Sequence, residues 1–271
     1  MTRPWMEFSA VDASRDPDAH ARYLEDMAQR LTTLRRQSLE RLPIAPGTTF
    51  LDAGCGLGEL VIQVAAMVGP EGRAVGVDVS EQMLRRARAS AEAAGSRAEF
   101  ASASVTALPF ADATFDVARS ERVFQHLDDE ECVLAARELL RVTRPGGAVQ
   151  IADPDHTQWS VAAADRDVAS LVVGWTVRRA RSPESGLLAG GLLGDAGAVD
   201  VEVDISPVVI RSLADWWTML GMQGALEDLV ERGELSEERA AAFWADLERR
   251  DRDGVFLVAG LAYVTTVRVP G

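Results

Sequence analysis

The spacing of apolar residues predicts a helix first and then alternating strands and helices. Apolar residues in the range 17–42 recur at helical intervals, and Pro43 ends this pattern. After it, short apolar segments alternate with helical patterns of about 10 to 15 residues. The segments expected to form strands are residues 48–52, 73–78, 98–101, 115–119 and 148–152. Strands that alternate with helices in this way predict a parallel sheet with right-handed crossovers.

The second half of the chain has a different pattern. Residues 157–196 and 213–250 have mainly helical spacing, whereas residues 199–206 alternate strictly between apolar and mostly acidic positions. That alternation is typical of an edge strand with one acidic side in water. Residues 255–269 are also β-prone, and the two strands are candidates for an antiparallel edge of the sheet. The sequence therefore predicts one α/β domain with a doubly wound sheet and helical insertions.

Composition narrows the classes of protein. The 271 residues carry a formal charge of −14, and the sequence contains no lysine. A surface that follows nucleic acid phosphates is therefore not expected, and lysine chemistry such as Schiff-base formation is excluded. The two cysteines, Cys55 and Cys132, form no CxxC pair, so neither a disulfide framework nor a zinc site is predicted. Since the N-terminus lacks the apolar segment of a signal peptide and no long apolar run occurs, we expect a soluble, cytoplasmic protein.

A glycine-rich segment carries the strongest chemical signal. Gly54, Gly56 and Gly58 follow the first predicted strand and precede a helix. Glycines at such a turn let a ligand approach the backbone at a helix N-terminus, where amide groups are unpaired. Asp78 ends the second predicted strand, where a carboxylate can accept hydrogen bonds from a ribose diol. Because Glu59 stands where a dinucleotide fingerprint has its third glycine, the GxGxG spacing does not favour a nicotinamide cofactor.

Three motifs in order resemble those of class I S-adenosylmethionine-dependent methyltransferases. They are LDAGCGLG at residues 51–58, VGVDVSEQML at residues 75–84 and LLRVTRPGGAVQIAD at residues 139–153. The sequence is similar in particular to ubiquinone and menaquinone C-methyltransferases and to actinobacterial natural-product methyltransferases. This resemblance covers about residues 20–156 and implies a mostly parallel, seven-stranded, Rossmann-like sheet.

The resemblance also implies a division of the chain. Residues 1–45 would form a helical arm or lid, and residues 46–156 a cofactor-binding core. Residues 157–271 would complete the same domain, with helical substrate-binding insertions and antiparallel edge strands.

The cofactor implied by the resemblance is S-adenosylmethionine. Gly54 and Gly56 would lie against its methionine part, and Asp78 would bind the ribose hydroxyls. Val79 and Met83 would flank the adenine, although Met83 is equally well explained as a core residue. The complete set of expected cofactor residues is Asp52, Gly54, Gly56, Gly58, Asp78, Val79, Met83, Ser104, Val105 and Ser120.

One position departs from the family pattern. Where the family usually has an aspartate for the adenine amino group, this chain has Ser104. A hydroxyl accepts that hydrogen bond without the help of charge, so a weaker contact is expected, in part compensated by the backbone amide of Val105. Asp78 also has a second explanation, as an acid that caps the helix after Ser80.

The family places the methyl acceptor above the ends of the fourth and fifth strands. His126, His156, Glu121 and Asp155 lie there, and each is a candidate base for an acceptor of high pKa. The alternative is that the histidines serve packing and that the acids are solvated loop residues. The fourth strand ends in ARSERV, without the Asp/Asn-Pro-Pro-aromatic motif of base-modifying enzymes, which argues against a nucleic acid substrate. No metal is expected, because the chain has no asparagine for the Asp/Asp/Asn site of magnesium-dependent relatives.

Aromatic residues concentrate after the fifth strand and favour an apolar acceptor. They form either the roof of an acceptor pocket or the core of the helical insertions, and Trp5, Met6 and Phe8 are candidates for a lid. The residues concerned are Trp159, Trp175, Trp216, Trp217, Phe243 and Trp244.

The function expected from the sequence is therefore methylation of oxygen, nitrogen or carbon on a small, apolar secondary metabolite, by a monomer or a dimer. In two alternatives the chain is an enzyme with the same fold and a different reaction: a methyltransferase-like cyclase, or an enzyme that couples alkene methylation to cyclisation. A third alternative is a cofactor-binding protein without activity.

Overall fold

The structure, a computed structural model, describes residues 32–219, 222 and 224–271. The strands in this part of the chain are β1 (Thr49–Ala53), β2 (Arg73–Asp78), β3 (Glu99–Ser102), β4 (Phe115–Glu121), β5 (Thr143–Val161), β6 (Val199–Ile210) and β7 (Val258–Arg268). The helices are α1 (Thr32–Leu39), α2 (Glu59–Val68), α3 (Glu81–Ala93), α4 (Asp129–Val142), α5 (Arg166–Val177), α6 (Ser185–Asp195), α7 (Leu213–Met219), α8 (Ala225–Glu231) and α9 (Glu237–Arg252).

The strands form one seven-stranded sheet in the order β3-β2-β1-β4-β5-β7-β6. The first five strands of this order run parallel, whereas β7 is antiparallel to β5 and to β6. The predicted doubly wound, mostly parallel sheet with an antiparallel edge is confirmed. Because the chain reverses its direction of travel across the sheet between β1 and β4, a crevice opens at the carboxyl ends of these two strands.

Local sequence determines where two of the central helices begin. The hydroxyl of Ser80 accepts a hydrogen bond from the amide of Met83 at 3.2 Å and caps α3. Asp128 and Glu131 form a reciprocal capping box at the start of α4. Both starts agree with the sequence prediction, since short polar side chains at these positions satisfy amides that the helix leaves unpaired.

Apolar side chains cover both faces of the sheet. On one face, residues of α4 and α6 such as Leu139 and Leu193 join the core of the parallel strands. On the other face, residues of α1 and α2 such as Leu39 and Val64 do the same. Strand β1 is therefore buried on both sides, which is why its sequence reads as a nearly continuous apolar run.

A third apolar cluster lies in the helical insertions. It joins the last part of β5 to α5, α7, α8 and α9. The aromatic residues of the second half of the chain belong to it, so the second of their two explanations applies. The four buried ones are Trp159, Trp175, Trp216 and Phe243, and the two partly buried ones that pack against the cluster are Trp217 and Trp244.

Two predictions about the second half were wrong. Residues 157–161 continue β5 instead of beginning a helix, because Ser160 and Val161 pair with β7. The apolar side of β6 is also exposed, since the side chains of Val203 and Ile205 are 50% and 55% accessible. The alternation in this strand therefore marks an edge with two exposed sides.

The N-terminal predictions fall mostly beyond the described part of the chain. The helix expected at residues 17–42 is described from Thr32 onward, as α1. Trp5, Met6 and Phe8 lie outside the described residues, as does most of the expected arm. Among the helices that the structure describes, none is both long and apolar enough to cross a membrane.

Candidate active site

A cavity of about 240 Å³ lies at the carboxyl ends of β1, β2 and β4. In open α/β sheets ligands bind at this point, where the strand order reverses. The predicted site residues that border the cavity are Asp52, Gly54, Gly56, Gly58, Asp78, Val79, Met83, Ser104, Val105, Glu121 and His126. Ser120, Asp155 and His156 do not border it.

The glycine loop after β1 forms the floor of the cavity. Gly54, Gly56 and Gly58 have φ angles of +89°, +52° and +73°, a region that side chains with a Cβ atom rarely adopt. A Cβ atom on Gly54 would collide with the side chain of Val123, and one on Gly58 would lie 2.5 Å from the ring of Phe100. Glycine is therefore required at both positions, for backbone conformation and for space.

Asp78 links the glycine loop to the end of β2. One carboxylate oxygen accepts the amide of Gly56 and the other accepts the amide of Ser80, both at 2.9 Å. Its carboxylate also borders the cavity, and a carboxylate can accept about four hydrogen bonds. The capping explanation and the ligand explanation of Asp78 are thus compatible.

Asp52 precedes the glycine loop and is buried in the wall of the cavity. Its Oδ1 atom accepts no hydrogen bond from the part of the chain that the structure describes. Burial outweighs the attraction of Arg119 and raises the pKa of Asp52 to about 6. Because a buried carboxylate that lacks donors is costly, this atom is suited to receive a cationic group from a ligand.

A buried ion-pair network lies beside Asp52. Nε of Arg35, on α1, donates to both carboxylate oxygens of Glu121, at 3.1 and 2.9 Å. Arg119 also donates to Glu121 at 2.8 Å, and its side chain is 1% exposed. Although burial opposes ionisation, these two arginines lower the pKa of Glu121 to about 2. Glu121 is therefore an ion-pair partner that holds Arg35 at the cavity, and a poor base.

The two serines of the expected set have different positions. The hydroxyl of Ser104 borders the cavity and lies 2.7 Å from that of Thr106. Ser120 is buried, and its hydroxyl donates to the carbonyl of Ala53 at 2.9 Å. Ser120 thus links β4 to the last residue of β1, directly before the glycine loop.

The chain turns sharply after β4, and the residues of this turn form the remaining wall of the cavity. Arg122 has a φ angle of +58°, and its amide donates to the carbonyl of Ala152 at 2.9 Å. Asp153, on β5, accepts the amides of Val123 and Gln125 at 3.2 and 2.8 Å. The buried carboxylate of Asp153 therefore fixes the short helical turn Phe124–His126 against the sheet.

The two histidines near this turn are weak bases. His126 borders the cavity, and burial together with the charges of Arg122 and His156 lowers its pKa to about 3. Nε2 of His156 lies 2.6 Å from Oε1 of Gln125, and burial together with Arg122 lowers the pKa of His156 to about 4. Both rings are therefore neutral near pH 7 and would take up a proton only reluctantly.

Asp155 is buried in β5 and lies away from the cavity. Its Oδ1 atom accepts the amide and the hydroxyl of Thr157, at 2.8 and 2.6 Å. Within the described residues, no group of three or more histidine, cysteine or acidic side chains is arranged to hold a metal ion.

Comparison with known proteins identifies the family. Residues 50–147 match the model of a methyltransferase domain, which spans the glycine loop, Asp78 and the turn after β4. This part of the chain is a methyltransferase domain.

Relatives of this chain differ in how far the similarity extends. An uncharacterized 37.1 kDa protein in transposon TN4556 of Streptomyces fradiae is 32% identical over 228 residues, or 83% of this chain and 65% of that protein. A demethylmenaquinone methyltransferase of Lactococcus lactis is 34% identical over 123 residues, or 45% of this chain and 48% of that enzyme. The chain thus spans about two thirds of the first of these curated relatives and about half of the second.

Among solved structures, phosphoethanolamine N-methyltransferase 2 of Haemonchus contortus has the same fold. It superposes with a TM-score of 0.61 and 16% identity, over 98% of this chain and 60% of that enzyme. That structure contains S-adenosylhomocysteine and phosphomonomethylethanolamine.

Several side chains of this candidate site could not be predicted from the sequence. Arg35 is 86 residues away in sequence from its partner Glu121, and nothing in its local sequence indicates the contact. Arg119 gives a signal in retrospect, because an arginine in a central strand of the sheet must be paired when it is buried. Gln125 and Asp153 give none, since each acts through the backbone of a turn that only the fold brings to the cavity.

Proposed function

We propose that this chain binds S-adenosylmethionine in the cavity and transfers its methyl group to a small, apolar acceptor, most simply a secondary metabolite. The observation that carries the proposal is the cavity at the glycine loop, which Asp52, a buried carboxylate with one oxygen that lacks a donor, also borders. When bound, the cofactor supplies an electrophilic methyl carbon on a positively charged sulfur.

The charges around the cavity fit the methionine part of this cofactor. The α-ammonium group would satisfy the Oδ1 atom of Asp52, and the carboxylate would pair with Arg35. The guanidinium of Arg35 also lies 3.6 Å from Glu59, so three carboxylates face the two guanidinium groups of Arg35 and Arg119. This leaves an excess of one negative charge, which the ammonium group would meet on the side of Asp52.

The remaining walls fit the nucleoside part. Asp78, which ends β2 and borders the cavity, would accept the ribose hydroxyls. Val79, which is 50% exposed at the cavity, and Met83 would flank the adenine, and Ser104 with Val105 would contact its edge.

Support for the acceptor class is indirect. The net charge of −14 disfavours a nucleic acid, and the relative from Lactococcus lactis is named for a quinone substrate. Val123 and Leu127 give the turn after β4 an apolar surface at the cavity. Because both histidines are weak bases, the main tasks of the protein would be to align the acceptor and to exclude water.

Calorimetric titration with S-adenosylmethionine and S-adenosylhomocysteine tests the cofactor assignment. Asp78→Ala should weaken both affinities by about tenfold or more, because charge-assisted hydrogen bonds to the ribose are lost. Asp167→Ala is the matched control, since its side chain is 91% exposed on α5, and it should bind like the native chain. Equal affinities for the two variants would contradict the assignment.

Methyl transfer is tested with cell extract and cofactor that carries a radiolabelled methyl group. Label should appear in an organic extract in proportion to the S-adenosylhomocysteine formed. A substrate that is isomerised without formation of S-adenosylhomocysteine would instead support a cyclase, and binding without either product would support a protein that only binds the cofactor.

A further inference from the structure

Strand β6 forms an edge of the sheet, and no other strand of the described chain pairs with its outer side. Its register with β7 is unbroken from Glu202 to Ile210, so successive residues direct their backbone groups alternately toward β7 and away from it. Pro207 has no N–H to donate, and within a sheet the nitrogen of a proline faces away from the partner strand. Since residues two positions apart face the same way, the N–H and C=O groups of Val203 and Ile205 also face outward.

The residues with outward-facing backbone groups carry apolar side chains. Val201, Val203 and Ile205 are 44%, 50% and 55% exposed. Helix α6 lies beside them, because a Cβ atom at Gly190 would be 3.4 Å from Val201 and 3.8 Å from Val203. Leu187, one turn earlier in α6, is also exposed. A strand added at this edge, with an apolar residue at every second position, would therefore bury an apolar surface.

The other side of β6 is acidic. Glu202 and Asp204 alternate with the apolar residues, and Asp200 precedes them where the register with β7 shifts. Nη2 of Arg41 lies 2.8 Å from Asp204. Within the part of the chain that the structure describes, neither Asp200 nor Glu202 forms an ion pair. The free edge therefore presents negative charge that the described residues balance only at Asp204.

This charge disfavours a second copy of the chain as the partner. Two copies related by a twofold axis would pair β6 with β6 in antiparallel orientation, and residues that face each other would point to the same side of the sheet. With the axis at Val203, Glu202 of each copy would face Asp204 of the other. Like charges directly opposite each other destabilise a pair of strands, whereas basic residues at these positions would stabilise it.

We infer that β6 is a docking edge for a partner protein that presents an extended segment of alternating apolar and basic residues. The backbone of this segment would pair with Val203 and Ile205, in the manner of strand addition. Its apolar residues would cover the exposed side chains beside α6, and its basic residues would oppose Glu202 and Asp204. Because β7 and β5 separate β6 from β4, such a partner would leave the cavity accessible.

Two fluorescently labelled peptides of the same composition test the inference with the full chain. In one peptide three arginines and three valines alternate, and in the other the three arginines precede the three valines. Measured by fluorescence anisotropy at about 0.15 M salt, which screens charges that are not in contact, the alternating peptide should bind about tenfold more tightly or better. Only this peptide can place its arginines on the acidic side of β6 and its valines on the apolar side.

Three variants connect this binding to β6. Glu202→Arg should weaken binding of the alternating peptide about fivefold or more, because an attraction becomes a repulsion. Glu238→Arg changes the net charge equally at an exposed position of α9 and should bind like the native chain. Ile205→Pro removes one outward-facing N–H, so it should weaken binding about tenfold while it melts close to the native temperature.

Several results would overturn the inference. It is wrong if the native chain binds the two peptides equally, if Glu202→Arg and Glu238→Arg weaken binding to the same extent, or if a folded Ile205→Pro retains native affinity. The comparison of the two arginine variants decides the test should the proline variant fold poorly. Sedimentation gives a separate measurement, since a native dimer that Ile205→Pro dissociates would assign the edge to a second copy.

Discussion

Replacing Asp52 by asparagine should have opposite effects on folding and on cofactor binding. The carboxyl group is buried, and its pKa is raised from its ordinary value of 3.8 to about 6. A raised pKa of an acid means that the folded state disfavours the ionised form. The contribution of Asp52 to stability is therefore intact below about pH 4 and is lost as the pH rises toward 6.

The raised pKa of Asp52 gives the size of the effect on stability, and the loss of its charge gives the effect on binding. The difference between 3.8 and about 6 corresponds to about 3 kcal/mol, at about 1.4 kcal/mol for each pH unit. Asparagine has nearly the same shape and no charge, so Asp52→Asn should raise the free energy of unfolding at pH 7 by up to about 3 kcal/mol. The same change removes the charge that would bind the α-ammonium group, and affinity for S-adenosylhomocysteine should fall about 10- to 100-fold.

Urea denaturation at pH 7 and at pH 4, with calorimetry at pH 7, measures these effects. At pH 4 the stabilities of the native chain and of Asp52→Asn should converge. Asp116→Asn is a control for which the opposite change in stability is expected. Asp116 accepts the amide and the hydroxyl of Thr49 at 2.7 and 2.6 Å, and its pKa is lowered. This variant should therefore lose stability at pH 7 and bind cofactor normally. The reasoning about Asp52 fails if Asp52→Asn is less stable than the native chain at pH 7, or if it binds S-adenosylhomocysteine equally well.

Three further substitutions test separate parts of the structure. By calorimetry, Arg35→Gln should weaken binding of S-adenosylhomocysteine about tenfold or more, because a charge-assisted contact is lost. Arg41→Gln, at a surface ion pair, should leave the affinity unchanged, and equal losses in the two variants would refute the role of Arg35. Gly54→Ala should lower stability in urea by more than Gly69→Ala. Both glycines have a positive φ angle, but a Cβ atom at Gly54 would collide with Val123, whereas one at Gly69 meets nothing within 4 Å. Equal stabilities of the two variants would contradict the clash with Val123. Trp216→Ala should cost about 3 to 5 kcal/mol of stability while cofactor affinity in the folded protein is retained, and a parallel loss of affinity would show that the insertion core shapes the cavity.

Most of the fold was predictable because its signals are local. Apolar runs with turn residues identified the parallel strands, and Ser80 and Asp128 gave the helix starts through hydrogen bonds to amides three residues away. The continuation of β5 through residues 157–161 was not predictable in this way. Its strand conformation depends on pairing with Val258 and Ala259, about a hundred residues later in the chain, and its own sequence is compatible with a helix.

The cofactor half of the site was predictable for a similar reason. The glycine loop must have positive φ angles and no side chains, and these requirements restrict the sequence itself. The charged network was not predictable, because Arg35, Arg119 and Glu121 come from two elements that meet only in the folded chain. Charge on a surface residue and charge in a buried network look alike in a sequence.

The cavity concentrates two features that cost stability in the ligand-free protein. One is the unsatisfied oxygen of Asp52, and the other is the left-handed backbone of Arg122. Both residues border the cavity, one at the end of β1 and one directly after the neighbouring strand β4. An ammonium group bound beside Asp52 would relieve the first. Binding of S-adenosylhomocysteine should therefore raise the melting temperature of the native chain, and by less in Asp52→Asn.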